Sequence, residues 1–481
     1  MPLSETLKVK NICCIGAGYV GGPTMAVIAK KCPNINVYVV DINQQKIDDW
    51  NNKDLSKLPV YEPGLEEIIK LYRNKNLFFS TNIEKCISNA DIVFISVNTP
   101  TKKRGIGAGK ASDLKWVENC ARQVAKFAKN HTIVVEKSTL PVRTAEVIQN
   151  ILKIAQRKTT NHESYPSFEV LSNPEFLSEG NAINDLENPD RVLIGGENQN
   201  SIETLSKIYK NWVPESKILH TNIWSSELAK LTANAFLAQR ISSINSISAI
   251  CEETGADVRE VARAIGTDNR IGSKFLDSGP GFGGSCFKKD ILNLVYLAKF
   301  YGLNEVAEFW ESVVKINTWH QSRISQLVIK NLYGTLAGKK IVILGFAFKA
   351  NTNDTRESAA IQICKDLINE GANLIIHDPK VNPNQIAKDL GIDQFNNEQV
   401  NQFAESFDGL GSWSFSRNLE IFNDAYAVLV LTEWTEYGLI NWEEQANKMI
   451  HPAWIFDARS IVDSDKVKKA ELNLWRVGDG S

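Results

Sequence analysis

The chain of 481 residues has almost no net charge: 54 Lys and Arg stand against 56 Asp and Glu, a formal balance of −2. That leaves no electrostatic footprint for nucleic acid or for an anionic membrane, though local lysine clusters remain free to meet small anions. Cysteine is scarce. Eight residues cannot make a disulfide scaffold in a chain this long, and no Cys-x-x-Cys pair or Cys/His cluster has zinc-ligand spacing. No metal is therefore expected, and reduced thiols in a cytoplasmic protein are the simplest account. Met1–Lys10 lacks the apolar core of a signal peptide, so the sequon Asn130-His131-Thr132 is expected to stay unmodified. Ile12–Ala29 carries no charge and approaches the length of a membrane span, but Gly16, Gly18, Gly21, Gly22 and Pro23 crowd its middle. It reads as strand, tight turn and helix.

What is present is the texture of a soluble protein of two or three domains, 43% hydrophobic and 23% charged. Val9–Ile15 reads as a buried parallel strand, apolar on both faces. It runs into Gly16-Ala17-Gly18-Tyr19-Val20-Gly21, then a helix, then a second strand, Val37–Val40, that ends at Asp41. That order makes the GxGxxG spacing credible as a dinucleotide site, because the glycines allow a tight turn and close approach of a pyrophosphate to a helix N-terminus. A carboxylate at Asp41 accepts ribose hydroxyls and repels a 2′-phosphate, favouring NAD over NADP, with Lys46 close by as a counterweight. Further strands, Asp91–Val97, Thr132–Glu136, Glu169–Ser172 and Arg191–Gly195, end in small or polar residues where a ligand crevice is expected.

The texture changes after Ser225. Ser226–Thr254 holds no proline or glycine, and Leu228, Leu231, Ala235, Ala238, Ile241 and Ile244 recur at helical spacing. That stripe fits either an internal core or a subunit interface. Helical runs follow at Asp257–Ile265 and after Asp290. The opening theme then returns: Lys340–Leu344 leads into Gly345-Phe346-Ala347-Phe348-Lys349, and Leu374–His377 ends at Asp378. Residues 424–434 echo 91–100. This reads as an internal duplication whose second copy has aromatics in place of the glycines and favours a base or sugar. Asn384–Asn418 reads as a polar, irregular surface insertion. The expected class is α/β, with two Rossmann-like doubly wound domains (1–220 and 333–481) joined by a central long-helix domain (221–332).

The chemistry concentrates in Gly281-Phe282-Gly283-Gly284-Ser285-Cys286-Phe287-Lys288-Lys289-Asp290. Glycines leave one small thiol reachable, with lysines and an aspartate just after it, as a nucleophile requires. A thiol beside NAD suggests oxidation at the aldehyde level, through a hemithioacetal and a thioester. Lys230, Lys288 and Lys289 are the candidate cations to favour its thiolate.

Motifs spread almost end to end then carry a resemblance: GAGYVGGPT at 16–24, VNTPT at 97–101, EKST at 136–139, NPEFLSEG at 173–180 and NPDRVLIGG at 188–196. SSELAKLTANAFLAQRISSIN at 225–245, GFGGSCFKKD at 281–290, GFAFK at 345–349 and DTRES at 354–358 complete it. The chain resembles the UDP-glucose/GDP-mannose dehydrogenase family, and within it the UDP-glucose branch. The resemblance implies two successive oxidations of carbon 6 of UDP-glucose to UDP-glucuronate, consuming two NAD+ and one water. It implies Cys286 as nucleophile, Lys230 and Asn234 as partners of the substrate hydroxyl or oxyanion, Asp290 and Thr139 as groups that order water, and Glu175 as the acid–base carboxylate. It adds Val97, Asn98, Thr99, Pro100, Thr101, Ser138, Thr139, Leu140, Glu179 and Arg356 as NAD contacts. For substrate it implies Glu175, Phe176, Leu177, Ser178, Glu179, Lys230, Asn234, Arg270, Phe275, Asp277, Gly281, Phe282, Gly283, Phe348, Lys349 and Arg459. The resemblance implies a homodimer through the central helices, which relatives often build further into hexamers. Ser278-Gly279-Pro280 and Ala350-Asn351-Thr352-Asn353 depart from the family pattern; a diphosphate loop that closes differently is expected at the first, and altered loop mobility at the second. The rival readings are a sister dehydrogenase for a UDP-N-acetylhexosamine or GDP-mannose, and a catalytically silent sensor on the same fold.

Overall fold

A computed structural model describes residues 7–139, 141–158, 166–392 and 411–480, without the side chains of 155–158. The chain forms two compact units, Met1–Ala233 with Leu292–Leu303, and Asn234–Ile291 with Asn304–Ser481.

The first unit is built on an eight-stranded sheet. Its strands are β1 (Asn11–Ile15), β2 (Asn36–Val40), β3 (Leu77–Ser80), β4 (Ile92–Ile95), β5 (Thr132–Glu136), β6 (Phe168–Ser172), β7 (Val192–Gly195) and β8 (Ile218–Thr221), in the order β3-β2-β1-β4-β5-β6-β7-β8. All neighbours pair parallel except β6 with β7. Both faces are covered, which is why β1 and β4 read as unbroken apolar runs. Ile12 and Cys14 join one core; Cys13 and Ile15 join the other. The two adjacent cysteines thus sit on opposite faces, as strand alternation requires, and all eight cysteines are free.

The second unit repeats the plan. Its six strands are β9 (Lys340–Leu344), β10 (Asn373–His377), β11 (Ser412–Ser416), β12 (Ala425–Val430), β13 (Trp454–Asp457) and β14 (Asn473–Arg476). Their order, β11-β10-β9-β12-β13-β14, is that of β3-β2-β1-β4-β5-β6, and all pair parallel. Long helices span Ile223–Thr254 and Asn304–Asn331. In the apolar stripe of the former, Leu231, Ala235, Ala238 and Ile244 are buried, whereas Leu228 is 40% exposed. The helix expected after Asp290 starts earlier, at Phe287, with Asp290 in its first turn. The polar insertion is not wholly irregular: Pro383–Leu390 is a helix capped by Asn382, and β11 completes the sheet edge. Its middle, 393–410, lies outside the described residues. Among the described residues no helix is long and apolar enough to cross a membrane, and no acidic, His or Cys cluster is placed to hold a metal ion.

Candidate active site

The glycine turn follows β1 directly. Gly16 has φ +113°, and a Cβ there would lie 2.3 Å from the Ser96 carbonyl oxygen, so only glycine fits. Gly18 differs: among the described residues nothing stands within 4 Å of where its Cβ would be. Packing does not demand a glycine at that position, and the open space there suits close approach of a ligand. The indole of Trp50, fully buried, donates to the Ala17 carbonyl at 3.0 Å and braces the turn. Asp41 closes β2; its carboxylate accepts from the Ala17 amide (3.1 Å), the Asn43 amide (3.0 Å) and Lys46 Nζ (3.0 Å). Burial pushes this acid up, but the amides and Lys46 outweigh it and hold it below the usual range. These residues fit a dinucleotide. In the second unit the matching acid, Asp378, is spent internally on the Phe346 and Ala347 amides at 2.8 and 2.9 Å and faces the Trp434 indole. Gly345, φ +97°, keeps the turn.

The ends of β4 and β5 are latched together: Ser138 Oγ donates to the Val97 carbonyl (2.7 Å) and Thr99 Oγ1 to the Thr139 carbonyl (3.0 Å). Asn98 and Pro100 are exposed, Thr101 bridges Ser112, and Leu140 lies outside the described residues. Beneath this loop two acids meet. Glu227, 2% exposed, accepts from the Arg143 and Ala145 amides at 2.7 and 2.8 Å, so it serves the first turn of the helix Thr144–Lys158. Glu136, also 2% exposed, faces Glu227. Burial, and then the charge of Glu227, push Glu136 well above the carboxylate range. Burial raises Glu227 too, but the Ala145 and Arg143 amides partly offset it, which places the shared proton on Glu136.

Glu175 follows β6. Its Oε1 accepts from the amides of Phe176 (2.8 Å) and Leu177 (3.1 Å), and its Oε2 lies 3.0 Å from Lys137 Nζ and 3.5 Å from Thr24 Oγ1. Burial pushes Glu175 up, but Lys137, the Phe176 amide and Lys230 together hold it below the usual value. It is a carboxylate. Lys230 is 7% exposed, with Nζ 5.2 Å from the Phe176 ring centroid, and the Arg191 guanidinium lies 3.8 Å from the same ring. Ser178 is exposed and bonds Asp185, and the end of the segment is fixed by Glu62, which accepts from the Gly180 and Ala182 amides at 2.7 and 3.0 Å.

In the second unit, Cys286 immediately precedes the helix that starts at Phe287. It is the one cysteine that is not buried. Burial pushes the others up, Cys32 to about 11 and Cys120 to about 12. The positive end of that helix favours negative charge at the Cys286 sulfur, and Ser285 Oγ lies 3.5 Å from it. Asp290, 1% exposed, accepts from Asn234 Nδ2 at 2.6 Å and pairs with Lys289 at 3.4 Å. The loop leading to the thiol is seated through its backbone. Asn317 takes both polar groups of Phe282 (2.8 and 3.1 Å), Asn245 accepts from the Gly279 amide (3.0 Å), and Gly284 donates to the Arg356 carbonyl (2.8 Å). His320 Nε2 lies 2.8 Å from the Gly279 carbonyl, and burial lowers its pKa to about 4. That ring is neutral, and its Nε2–H donates. Gly279 thus uses both its backbone groups on helix side chains, and Pro280, which has no amide to place, follows at no hydrogen-bonding cost.

Phe348 packs under this loop, for a Cβ on Gly283 would lie 2.8 Å from Phe348 Cβ. Arg459 donates to the Leu431 and Phe348 carbonyls (2.9 and 2.7 Å) and pairs with Glu433 at 3.1 Å. Lys349 is half-buried, Asp277 exposed, and Phe275 39% exposed at φ +62°. Arg356 forks onto Asp354 at 2.8 and 2.6 Å. Arg270 stands 89% exposed on Asp268. Lys137, Glu62, Trp50, Asn245, Asn317 and His320 are absent from the sequence-based set. Lys137 and Asn245 had a signal, their places inside the EKST motif and the motif at 225–245.

A glycine-turn nucleotide fold with a bracing acid, repeated once, places the chain among NAD-binding oxidoreductases. Family models agree in all three parts: the UDP-glucose/GDP-mannose dehydrogenase NAD-binding domain matches 10–213, the central domain 224–319 and the UDP-binding domain 342–464. The chain belongs to the UDP-glucose/GDP-mannose dehydrogenase family. It is 52% identical over 474 residues to UDP-glucose 6-dehydrogenase 1 of Glycine max, covering 97% of each chain. It is also 52% identical to UDP-glucose 6-dehydrogenase of Drosophila melanogaster, over 97% of this chain and 96% of that one. Among solved structures, a UDP-glucose dehydrogenase from the archaeon Pyrobaculum islandicum aligns over 100% of both chains with TM-score 0.81 and 27% identity.

Proposed function

We propose that this chain oxidises carbon 6 of UDP-glucose twice, giving UDP-glucuronate at the expense of two NAD+ and one water. The observation that carries the reading is Cys286, the single accessible thiol, seated at a helix start on a braced glycine loop. Gly16–Gly21, Asp41, Lys46, Val97–Thr101, Ser138–Leu140, Glu179 and Arg356 hold the dinucleotide, which supplies the hydride acceptor. Hydride leaves carbon 6 as the hydroxyl proton passes to water, with Lys230 and Asn234 donating hydrogen bonds to that oxygen. The Cys286 thiolate then adds to the aldehyde carbon, and loss of a second hydride from the thiohemiacetal leaves a thioester. Water attacks that carbonyl, Glu175 accepts its proton, and the C–S bond breaks with the electron pair returning to sulfur. The ionised state of Glu175 supports this role. Thr139 and Asp290 order the water.

Glu175–Glu179, Arg270, Phe275, Asp277, Gly281–Gly283, Phe348, Lys349 and Arg459 hold the UDP-sugar, with cationic side chains suited to a diphosphate. The reading includes the three-part division at 1–220, 221–332 and 333–481, a cytoplasmic location and a homodimer able to build a hexamer. It is tested by incubating the protein with UDP-glucose and NAD+. Two NADH per UDP-glucuronate, with no aldehyde trapped in solution, are expected. One NADH per sugar with free aldehyde, or preference for GDP-mannose or a UDP-N-acetylhexosamine, overturns it.

A further inference from the structure

We propose that Lys137 is a positioning residue for Glu175, a buried ammonium that keeps the carboxylate charged and aimed while the thioester is hydrolysed. The inference rests on the roles given above to Glu175 and Cys286. Glu136 pairs with Ser172 across β5 and β6, so Lys137 and Asn173 leave the sheet side by side, with Glu175 two residues further on. Lys137 is 3% exposed, and an unpaired ammonium at that depth costs several kcal/mol. An ammonium has three donors, and here three acceptors surround it: Glu175 Oε2 at 3.0 Å, Asn173 Oδ1 at 3.0 Å and Tyr209 Oη at 3.3 Å. Tyr209 in turn donates to Asn173 Oδ1 at 2.6 Å, and Asn173 Nδ2 donates to the Leu193 carbonyl at 2.8 Å. The ammonium therefore has a fixed place.

Its effect falls on Glu175. One carboxylate oxygen is held by two backbone amides and the other by Lys137, so the group is clamped from both ends. Other groups face it too: Lys230 and Arg191 by charge, Tyr209 by its phenol, and Thr24 by its hydroxyl. Of these, Lys230 is committed to the substrate hydroxyl and Arg191 stacks on Phe176. Burial alone would drive a carboxyl in this place toward its neutral form, in which it cannot accept a proton from water. Lys137, which burial alone would neutralise, stays protonated because Glu175 lies against it. Each ion keeps the other charged. In the hydrolytic step the water oxygen bonds to the thioester carbon, its proton passes to Glu175, and the thiolate departs. Lys137 transfers nothing, since its three donors are spent on Glu175, Asn173 and Tyr209.

The test compares Lys137→Met, Glu175→Gln and the double variant in the full-length protein, with UDP-glucose and NAD+. Intact-protein mass reads the covalent UDP-sugar adduct, and the pH profile of kcat reads the ionisation of the base. Lys137→Met is expected to slow hydrolysis about tenfold or more, to accumulate the adduct as Glu175→Gln does, and to move the acid limb upward by about one pH unit or more. Adding Lys137→Met to Glu175→Gln should slow hydrolysis no further. If Lys137→Met folds poorly, Lys137→Gln keeps donors for Asn173 and Tyr209 without the charge and is expected to show the same shift. An unmoved acid limb and no adduct in the Lys137 variants, while Glu175→Gln accumulates it, overturns the inference and leaves the reading of Glu175 standing. Absence of adduct in Glu175→Gln overturns that reading, and this inference with it.

Discussion

The buried acid pair at the start of the helix Thr144–Lys158 gives a stability signature of definite sign. Glu136 is held protonated by burial and by the charge of Glu227, which is occupied by backbone amides. In the unfolded chain the same acid ionises near about pH 4.3. A raised folded value means that its contribution is fully present below that pH. It is lost as pH rises toward the folded value, because the native state holds a proton that the unfolded state has released. Each pH unit in that window removes about 1.4 kcal/mol. Glu136→Gln copies the protonated acid in shape and keeps a donor for Glu227, but binds no proton. Over one pH unit inside that window the unmodified protein should therefore lose about 1.4 kcal/mol relative to the variant. Urea denaturation at both ends of that unit, followed by tryptophan fluorescence, measures this difference of differences. A constant cost of the substitution cancels in it. Infrared spectra inside that window should also show a protonated-carboxyl band that Glu136→Gln lacks. Equal pH slopes for the two proteins, with no such band, would refute the assignment of the proton.

Two further outcomes follow from the binding loops. Asp41→Ala removes an acceptor of ribose hydroxyls and frees Lys46, so kcat/KM with NAD+ should fall about tenfold to a hundredfold while the gap to NADP+ narrows; unchanged preference in steady-state kinetics contradicts this. In Gly283→Ala the new Cβ would lie 2.6 Å from the Glu357 carbonyl oxygen and 2.8 Å from Phe348 Cβ. The loop must shift, costing about 1–3 kcal/mol and raising KM for UDP-glucose more than KM for NAD+; equal KM values to the unmodified protein would show that the loop gives freely.

Fold class and the central motifs were legible because local chemistry and period agreed. β5 and β9 occupy the expected residues, since each is a short apolar run bounded by polar ones. β3, LFFS, is too short to stand out from its surroundings, and β11 lies within a polar stretch whose neighbours hide its alternation. Leu228 fits the apolar period of its helix yet is 40% exposed, because period reports a face and not what covers it. The glycine turn and Cys286 declared themselves through residue types with few other uses. Residues that act through position did not. Asn317 and Asn245 lie 35 and 34 positions from the loop atoms they hold. Lys137 lies inside the EKST motif, but only the fold places it against Glu175. The Asp41 and Asp378 motifs look equivalent as letters, and only the hydrogen bonds separate them: Asp41 takes one amide of its turn and Lys46, whereas Asp378 takes two amides of its turn and the Trp434 indole.

The central claim is covalent catalysis at Cys286, and Cys286→Ser tests it most directly. Serine keeps nearly the same volume, so melting temperature and UDP-glucose binding should change little. Its hydroxyl is far less acidic than a thiol, and an ester resists hydrolysis more than a thioester. NADH production should fall by about a thousandfold or more, leaving a slowly resolved ester adduct in the intact-protein mass. Turnover near that of the unmodified enzyme, with no adduct, would make Cys286 a packing residue and contradict the mechanism.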